Sequence, residues 1–444
     1  FRRDAEPFLV GAAQAVARRR LLYAAILGAG VAVVLASVAA PRFSTETPGA
    51  GGWTLHLASV AAILVAAGCL HFAQRPQNAA PPSISTGWGN GWRKWWRKWW
   101  LPALALIALT AAAAAMRLYN LETLPVGIWY DEAVNALIAR RILAEPEYNP
   151  FYLAETFHTA HHNYLVALAF TLFGESIGSA RLVSAVLGML LVPAGWLLGW
   201  EFFQTRPAHK REASSVPLIM AFALAALLAF APWSLNLSRI AVNYIFTPLF
   251  AVLATGLLLR GLRTQSILAY AGAGLTLALG LAGYTSFRLF APVLPLFVAA
   301  VLIYRRNAVR ETWRATRPGL LTLTLVSLIV SAPLLTFAAT NRDEFMQRAS
   351  DVNLFKDKAP EERVDLLIEN VRAHLLMFNV KGDANGRHNL PARPMLDPAL
   401  AALFVLGVAL SLWRWPHPLH FLLLVWLGFT LLGGILSLSF EAPQ

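Results

Sequence analysis

Leu124-Pro125-Val126-Gly127-Ile128-Trp129-Tyr130-Asp131-Glu132-Ala133 sets two adjacent carboxylates just beyond residues 101–119, an apolar run of bilayer-crossing length. A bilayer core of about 30 Å takes about 20 apolar residues as helix, and a carboxylate is costly inside it. A carboxylate pair at the edge of such a run points to chemistry or binding at the membrane surface. The rest of the chain sharpens that contrast: 57% of its 444 residues are hydrophobic and only 14% are charged, with mean hydropathy +0.54. A soluble domain carries about 25% charged residues. The fold class that follows is an all-α polytopic membrane protein. One cysteine, Cys69, excludes a disulfide framework and a cysteine-built metal site.

Outward from Asp131, apolar runs of spanning length lie near 21–40, 54–73, 101–119, 182–203, 215–235, 242–260, 266–283, 287–304, 319–339, 398–414 and 419–439, giving about 11 transmembrane helices. The first is longer than the ~7–15-residue apolar core of a cleavable signal and reads as a retained span. Residues 162–173 (HNYLVALAFTLF) are too short to cross, so a helix at the interface, or dipping in and out, is expected there. That choice fixes which loops share a side. Loops 1–20, 74–100, 204–214, 260–265, 305–318 and 414–418 then fall together, with 21 Lys/Arg against five acids once Glu201, at the adjoining end of the span 182–203, is counted with Asp4, Glu6, Glu212 and Glu311. The opposite side holds 16 basic and 19 acidic residues. The positive-inside rule puts the first set, with the amino terminus, in the cytoplasm. A full crossing at 162–173 would erase the bias.

The net charge of +13 raises nucleic acid as a partner, and Trp92-Arg93-Lys94-Trp95-Trp96-Arg97-Lys98-Trp99-Trp100 interleaves cations with aromatics. It directly precedes a span, however, where indoles sit in the headgroup belt and cations meet anionic lipid. A membrane anchor, not a nucleic-acid surface, is expected. Residues 1–100 read as a two-helix hairpin plus this basic, Trp-rich linker. Residues 101–444 read as the main membrane domain, with outer-face loops 120–181 and 341–397. In the second loop Val364, Leu367, Ile368, Val371, Leu375 and Phe378 recur at helical spacing, predicting an amphipathic surface helix.

Four groups of chemistry-bearing residues fall on that outer face. Asp131 and Glu132, as helix neighbours, diverge by about 100° and are not expected to act as one acid/base pair; Asp131 as a cap on a helix over 133–144 is the bland alternative. His158, His161 and His162 have the three- and four-residue spacing of a metal pair, and Asp131, Glu132 or Glu155 is available as a third ligand. The spacing leaves open a divalent metal at His158, His162 and Asp131, or histidines touching a substrate. Arg181, Arg239 and Arg288 stand at the outer ends of predicted spans, Arg288 near Tyr284; three guanidinium forks at one level suit an anionic headgroup. Lys381, Asp383, Arg387 and His388 crowd polar chemistry into a turn-rich stretch before the tenth span, where a lid over a cavity is expected.

The order of these pieces resembles the GT-C membrane glycosyltransferases. A span ends in Arg117-Leu118; Leu124-Pro125 and Asp131-Glu132 follow; a short helix closes with Phe173-Gly174; then come Arg181-Leu182, Gly188 and Ser238-Arg239. The branch it is most similar to contains the protein O-mannosyltransferases and lipid A aminoarabinose transferases (glycosyltransferase family 39-like), and the resemblance covers roughly residues 101–340. It implies a GT-C-like bundle and inverting transfer of a sugar from polyprenyl phosphate to a lipid, glycan or protein acceptor, on the non-cytoplasmic face of a bacterial inner membrane. The catalytic carboxylate matches Asp131, with Glu132 beside it. Relatives often carry a basic residue or His followed by two prolines where this chain has His161-His162-Asn163-Tyr164. A glycosyl phosphate leaves as a stable phosphate, so one carboxylate acting as base suffices, with cations to meet the phosphate charge. Two other classes are a non-catalytic GT-C-like subunit of a larger membrane complex and a transporter. The second would put charge in mid-span positions, which this chain largely avoids.

Overall fold

The computed structural model describes residues 5–74, 88–204, 215–382, 384 and 390–437. α1 (Ala5–Ala39) and α2 (Gly49–Ala73) form a hairpin, and α3 (Trp88–Leu118) runs from the Trp-rich repeat into a membrane-length stretch. A loop leads to α4 (Tyr130–Ala144), then to an antiparallel ribbon of β1 (Tyr152–Leu153) and β2 (His158–Thr159), and to α5 (His161–Phe173). α6 (Ile177–Gln204), α7 (Val216–Phe230) and the short α8 (Pro232–Leu237) precede α9 (Phe246–Thr264) and α10 (Ile267–Gly283). α11 (Phe287–Phe290) turns into α12 (Val293–Tyr304), followed by α13 (Val309–Thr340) and α14 (Arg342–Asp351). The predicted amphipathic helix is α15 (Pro360–Leu376), and α16 (Pro398–Trp413) and α17 (Pro418–Ile435) close the chain.

Among the described residues eight helical stretches are long and apolar enough to cross a membrane: within α1, α2, α3, α6, α9, α11–α12, α13 and α17. α7, α10 and α16 are apolar but shorter, and they coincide with the three other predicted spans. The central core joins α6, α9, α10, α11, α12 and α17 through Leu191, Leu249, Leu258, Tyr270, Phe287, Phe290, Phe297 and Leu422. Helices in lipid gain little from apolar burial and rely on close packing instead. α10 and α13 achieve it with glycine. A Cβ on Gly274 would meet the Leu323 carbonyl at 2.5 Å, and one on Gly319 would overlap the Tyr270 ring.

α5 does not cross the bundle. Glu122, which precedes it, accepts from Gly178 N at 2.6 Å and Ser176 Oγ at 3.0 Å, both of which follow it. Arg140 and Glu175 pair across it as well, at 3.5 Å. At its amino end Thr159 donates to the Ala282 carbonyl at the close of α10, where Asn243 bonds the Gly283 carbonyl, so both ends of α5 belong to one end of the bundle. The hairpin shares its core with the rest: Ala32, Ala36, Ile63 and Ala67 pack on Ile267, Ala271, Val326 and Ile329. Its turn reaches the ribbon, with Phe43 against Phe151 and the Phe151 amide donating to the Glu46 carbonyl at 2.6 Å.

Candidate functional site

The loop from Tyr119 to Trp129 is held by two arginines. Arg181, fully buried on the first turns of α6, donates to the carbonyls of Leu121, Pro125 and Gly127 at 3.2, 2.9 and 2.6 Å. Arg239 donates to the carbonyls of Met116, Arg117, Tyr119 and Leu124. Seven carbonyls that would otherwise lack helix or sheet partners are satisfied in this way. Arg181 also closes a buried ion pair with Glu132, Nε to Oε2 at 2.7 Å. The same carboxylate accepts from the Ala241 amide at 3.3 Å. The loop, the start of α4 and the turn after α8 thus meet on one ion pair.

These contacts correct two expectations. Arg181 and Arg239 do not present their guanidinium groups to a headgroup; the backbone and Glu132 occupy them. Nor does Asp131 cap α4, because the helix begins at Tyr130 with Trp129 at its N-cap. Both carboxylates sit in the first turn, where the helix dipole favours negative charge. They diverge as expected. Glu132 points inward and is 2% exposed, whereas Asp131 is half-buried and accepts from the Tyr244 hydroxyl at 3.0 Å. Tyr244 lies edge-to-face on Tyr284, with ring centroids 5.0 Å apart.

Arg288 differs from the other two arginines. Nη1 donates to the Phe345 carbonyl at 3.1 Å, and the guanidinium lies 3.7 Å from the centroid of the Phe345 ring. Among the described residues no carboxylate pairs with it, and the buried Tyr152 hydroxyl lies beside it as a polar neighbour. His158 lies within electrostatic reach of both Asp131 and Arg288. Asp131, Tyr244, Tyr284, His158 and Arg288 therefore gather at one end of the bundle. Tyr152 and Phe345 complete the surroundings of Arg288. Neither residue stood out in the sequence: Tyr152 sits in a strand of two residues and Phe345 on a ten-residue, mostly polar helix, both too short to show a periodic pattern.

The three histidines separate. His158 donates from Nδ1 to the Thr159 carbonyl at 3.2 Å, leaving Nε2 as its lone-pair nitrogen. His161 Nδ1 bonds the Thr159 hydroxyl at 2.6 Å, and that hydroxyl donates onward to the Ala282 carbonyl. The imidazole lies edge-on to Trp53 and Phe151 in the aromatic box that docks the hairpin. His162 is fully buried against Ser184 at 3.4 Å, and Ser184 donates to the Val242 carbonyl. His161 and His162 therefore hold helices together instead of facing a substrate. Burial pushes His158 down to about 4 and His162 down to about 3, so both rings are neutral near pH 7. Among the described residues no three His, Cys, Asp or Glu side chains converge as a metal would require. His158, His162 and Asp131 accordingly do not fit a resident divalent ion.

Asp383, Arg387 and His388, with the lid expected of them, lie outside the described residues. Comparison with protein-family models gave no match, and comparison with curated proteins gave none either.

Proposed function

We propose that this chain is an inverting glycosyltransferase that takes its sugar from a polyprenyl-phosphate donor at the face carrying Asp131. The acceptor hydroxyl gives its proton to Asp131. Its oxygen bonds the anomeric carbon from the side opposite the phosphate, and the bond from that carbon to the phosphate oxygen breaks. Polyprenyl phosphate leaves with the electron pair, and Arg288 meets the charge it carries away. The observation that carries this reading is the division of labour between neighbours. Glu132 is bound to Arg181 inside the fold, while Asp131 is left half-exposed and held by the Tyr244 hydroxyl, and His158 lies within electrostatic reach of both Asp131 and Arg288, which no described carboxylate pairs. A positioned base contributes about 10²–10⁴ in rate, and donors aimed at developing charge add to it.

On this reading the bundle is GT-C-like, and α7, α10 and α16 cross the membrane with the eight longer stretches, which makes eleven spans. The face with Asp131 is non-cytoplasmic and the membrane is the bacterial inner membrane. The acceptor is a lipid, glycan or protein. No step needs a metal.

A second reading has one observation in its favour: Arg181 and Arg239 are taken up by backbone carbonyls, so the phosphate cradle is thinner than three arginines would make it. The chain would then be a non-catalytic GT-C-like subunit of a membrane complex. Purified protein in liposomes, offered a panel of polyprenyl-phosphate sugars, separates the two. Release of polyprenyl phosphate by the wild type and its loss in Asp131→Asn supports catalysis. Equal release by both rejects Asp131 as the base. Failure of the wild type to bind any donor, with stoichiometric partners copurifying, supports the subunit reading.

A further inference from the structure

A cavity of about 390 Å³ lies where α9, α12, α13 and α17 converge. It is at the other end of the bundle from Asp131. α9 begins two residues after Tyr244, which bonds Asp131, and its last turn carries Arg263 to the cavity wall; its 19 residues rise about 1.5 Å each. The lining is graded. Leu259 and Phe297 are each 2% exposed, whereas Arg305 and Ala315 are exposed. Apolar surface is therefore deep and the charge is at the mouth.

Two cations border it with donors to spare. Arg263 is fixed by Glu201, a fully buried acid, through Nε at 2.7 Å and Nη2 at 2.8 Å. Its Nη1 is unengaged among the described residues. The Arg305 side chain makes no hydrogen bond or ion pair with any described residue. Arginines on this face are expected from the positive-inside distribution alone, and Arg306, Arg310 and Arg314 stand close by without lining the cavity. The position of Arg263 and Arg305 at the rim of an apolar recess is not explained by that distribution. A volume of this size lies within the range of small-molecule sites, which combine apolar walls with a few placed polar groups.

We propose that this cavity binds the phosphate of an anionic amphiphile. Arg305 and Nη1 of Arg263 hold the phosphate oxygens, and the hydrocarbon adjoining the headgroup lies against Leu259, Phe297 and Val301. A membrane lipid and a soluble phosphate share the anionic chemistry. The apolar interior selects the lipid.

Native mass spectrometry of the full-length chain in detergent, titrated separately with phosphatidylglycerol, phosphatidylcholine and inorganic phosphate, tests this. Three variants accompany the wild type. Arg305→Glu reverses a rim cation, Ala315→Trp closes the mouth from an exposed position, and Arg306→Glu makes the same charge change outside the cavity. Arg263 is left intact, because removing it would strand buried Glu201. The expected result is retention of phosphatidylglycerol over phosphatidylcholine, weakened about tenfold or more by Arg305→Glu, in line with one lost charge-assisted hydrogen bond. Ala315→Trp weakens it likewise, and Arg306→Glu leaves it near wild type. Inorganic phosphate binding that both cavity variants abolish, without retention of phosphatidylglycerol, supports the anion site and assigns it to a soluble phosphate. Equal loss in Arg305→Glu and Arg306→Glu, or no loss in either cavity variant, overturns the site in favour of general attraction to a basic face.

Discussion

Glu132 and Asp131 are adjacent in sequence and about 100° apart in direction on α4, and the partners each finds give opposite mutational signatures. Arg181→Ala leaves Glu132 charged, buried and unpaired, a loss of about 3–5 kcal/mol, and also orphans the carbonyls of Leu121, Pro125 and Gly127. Denaturation of the purified protein should show that drop. Adding Glu132→Leu to Arg181→Met should recover only part of it, since the three carbonyls stay unpaired. Tyr244→Phe removes the hydroxyl that positions Asp131. It should leave the melting temperature near wild type and lower the turnover number about tenfold, the scale of one hydrogen bond to a charged group. A fall in stability without a fall in turnover would reassign Tyr244 to packing. The buried histidines give a pH signature. His158 and His162 sit near 4 and 3 in the folded chain against an ordinary 6.5, so the unfolded chain binds more protons between those values. Their contribution to stability is complete above pH 6.5 and is lost as pH falls toward 4. Thermal melts from pH 7.5 to 4 should decline over that window, and less steeply in His162→Phe.

At the scale of elements, length and hydrophobicity were legible and partnership was not. The apolar runs announced the long helices. The twelve residues 162–173 are too short to cross, and contacts at both ends, Thr159 with Ala282 and Glu122 with Ser176 and Gly178, keep that helix at one end. The spacing Val364, Ile368 and Leu375 announced α15, and these three remain exposed on its outer side. What one sequence does not contain is which polar group meets which. Arg181, Arg239 and Arg288 looked equivalent because each ends a span, yet two clamp a loop about 60 and 115–123 residues earlier in the chain and one does not. The same holds for glycine. Gly272 and Gly274 are two apart on α10, yet only Gly274 faces α13. A Cβ on Gly272 would touch the flexible end of Leu257 at 3.1 Å, while one on Gly274 would strike the Leu323 backbone oxygen. Gly274→Val should therefore force α10 and α13 apart and cost about 1–3 kcal/mol or more, whereas Gly272→Ala should be near neutral. Melting temperatures of the two variants in one detergent distinguish them.

At the scale of the molecule, the two ends of the bundle carry different chemistry. One gathers Asp131, Tyr244, His158 and Arg288. The other gathers Glu201, Arg260, Arg263 and Arg305, with Glu201 binding two arginines. The charge count divides the loops into the same two sets, and contacts such as Glu122 with Gly178 and Glu201 with Arg263 each join residues of one set. Only the direction of insertion rests on the loop arginines alone. Replacing the single cysteine, Cys69→Ser, makes it measurable with one introduced thiol at a time. Val126 is 90% exposed beside the carboxylates, and Asn307 is exposed beside Arg305 and Arg306. A membrane-impermeant maleimide applied to intact cells should modify Val126→Cys, and should reach Asn307→Cys only after the membrane is opened. The reverse pattern would put Asp131 in the cytoplasm and remove the basis for a donor presented on the outer leaflet. Labelling of both from outside would contradict the two-ended bundle itself, because residues 126 and 307 would then share a face that their contacts keep apart.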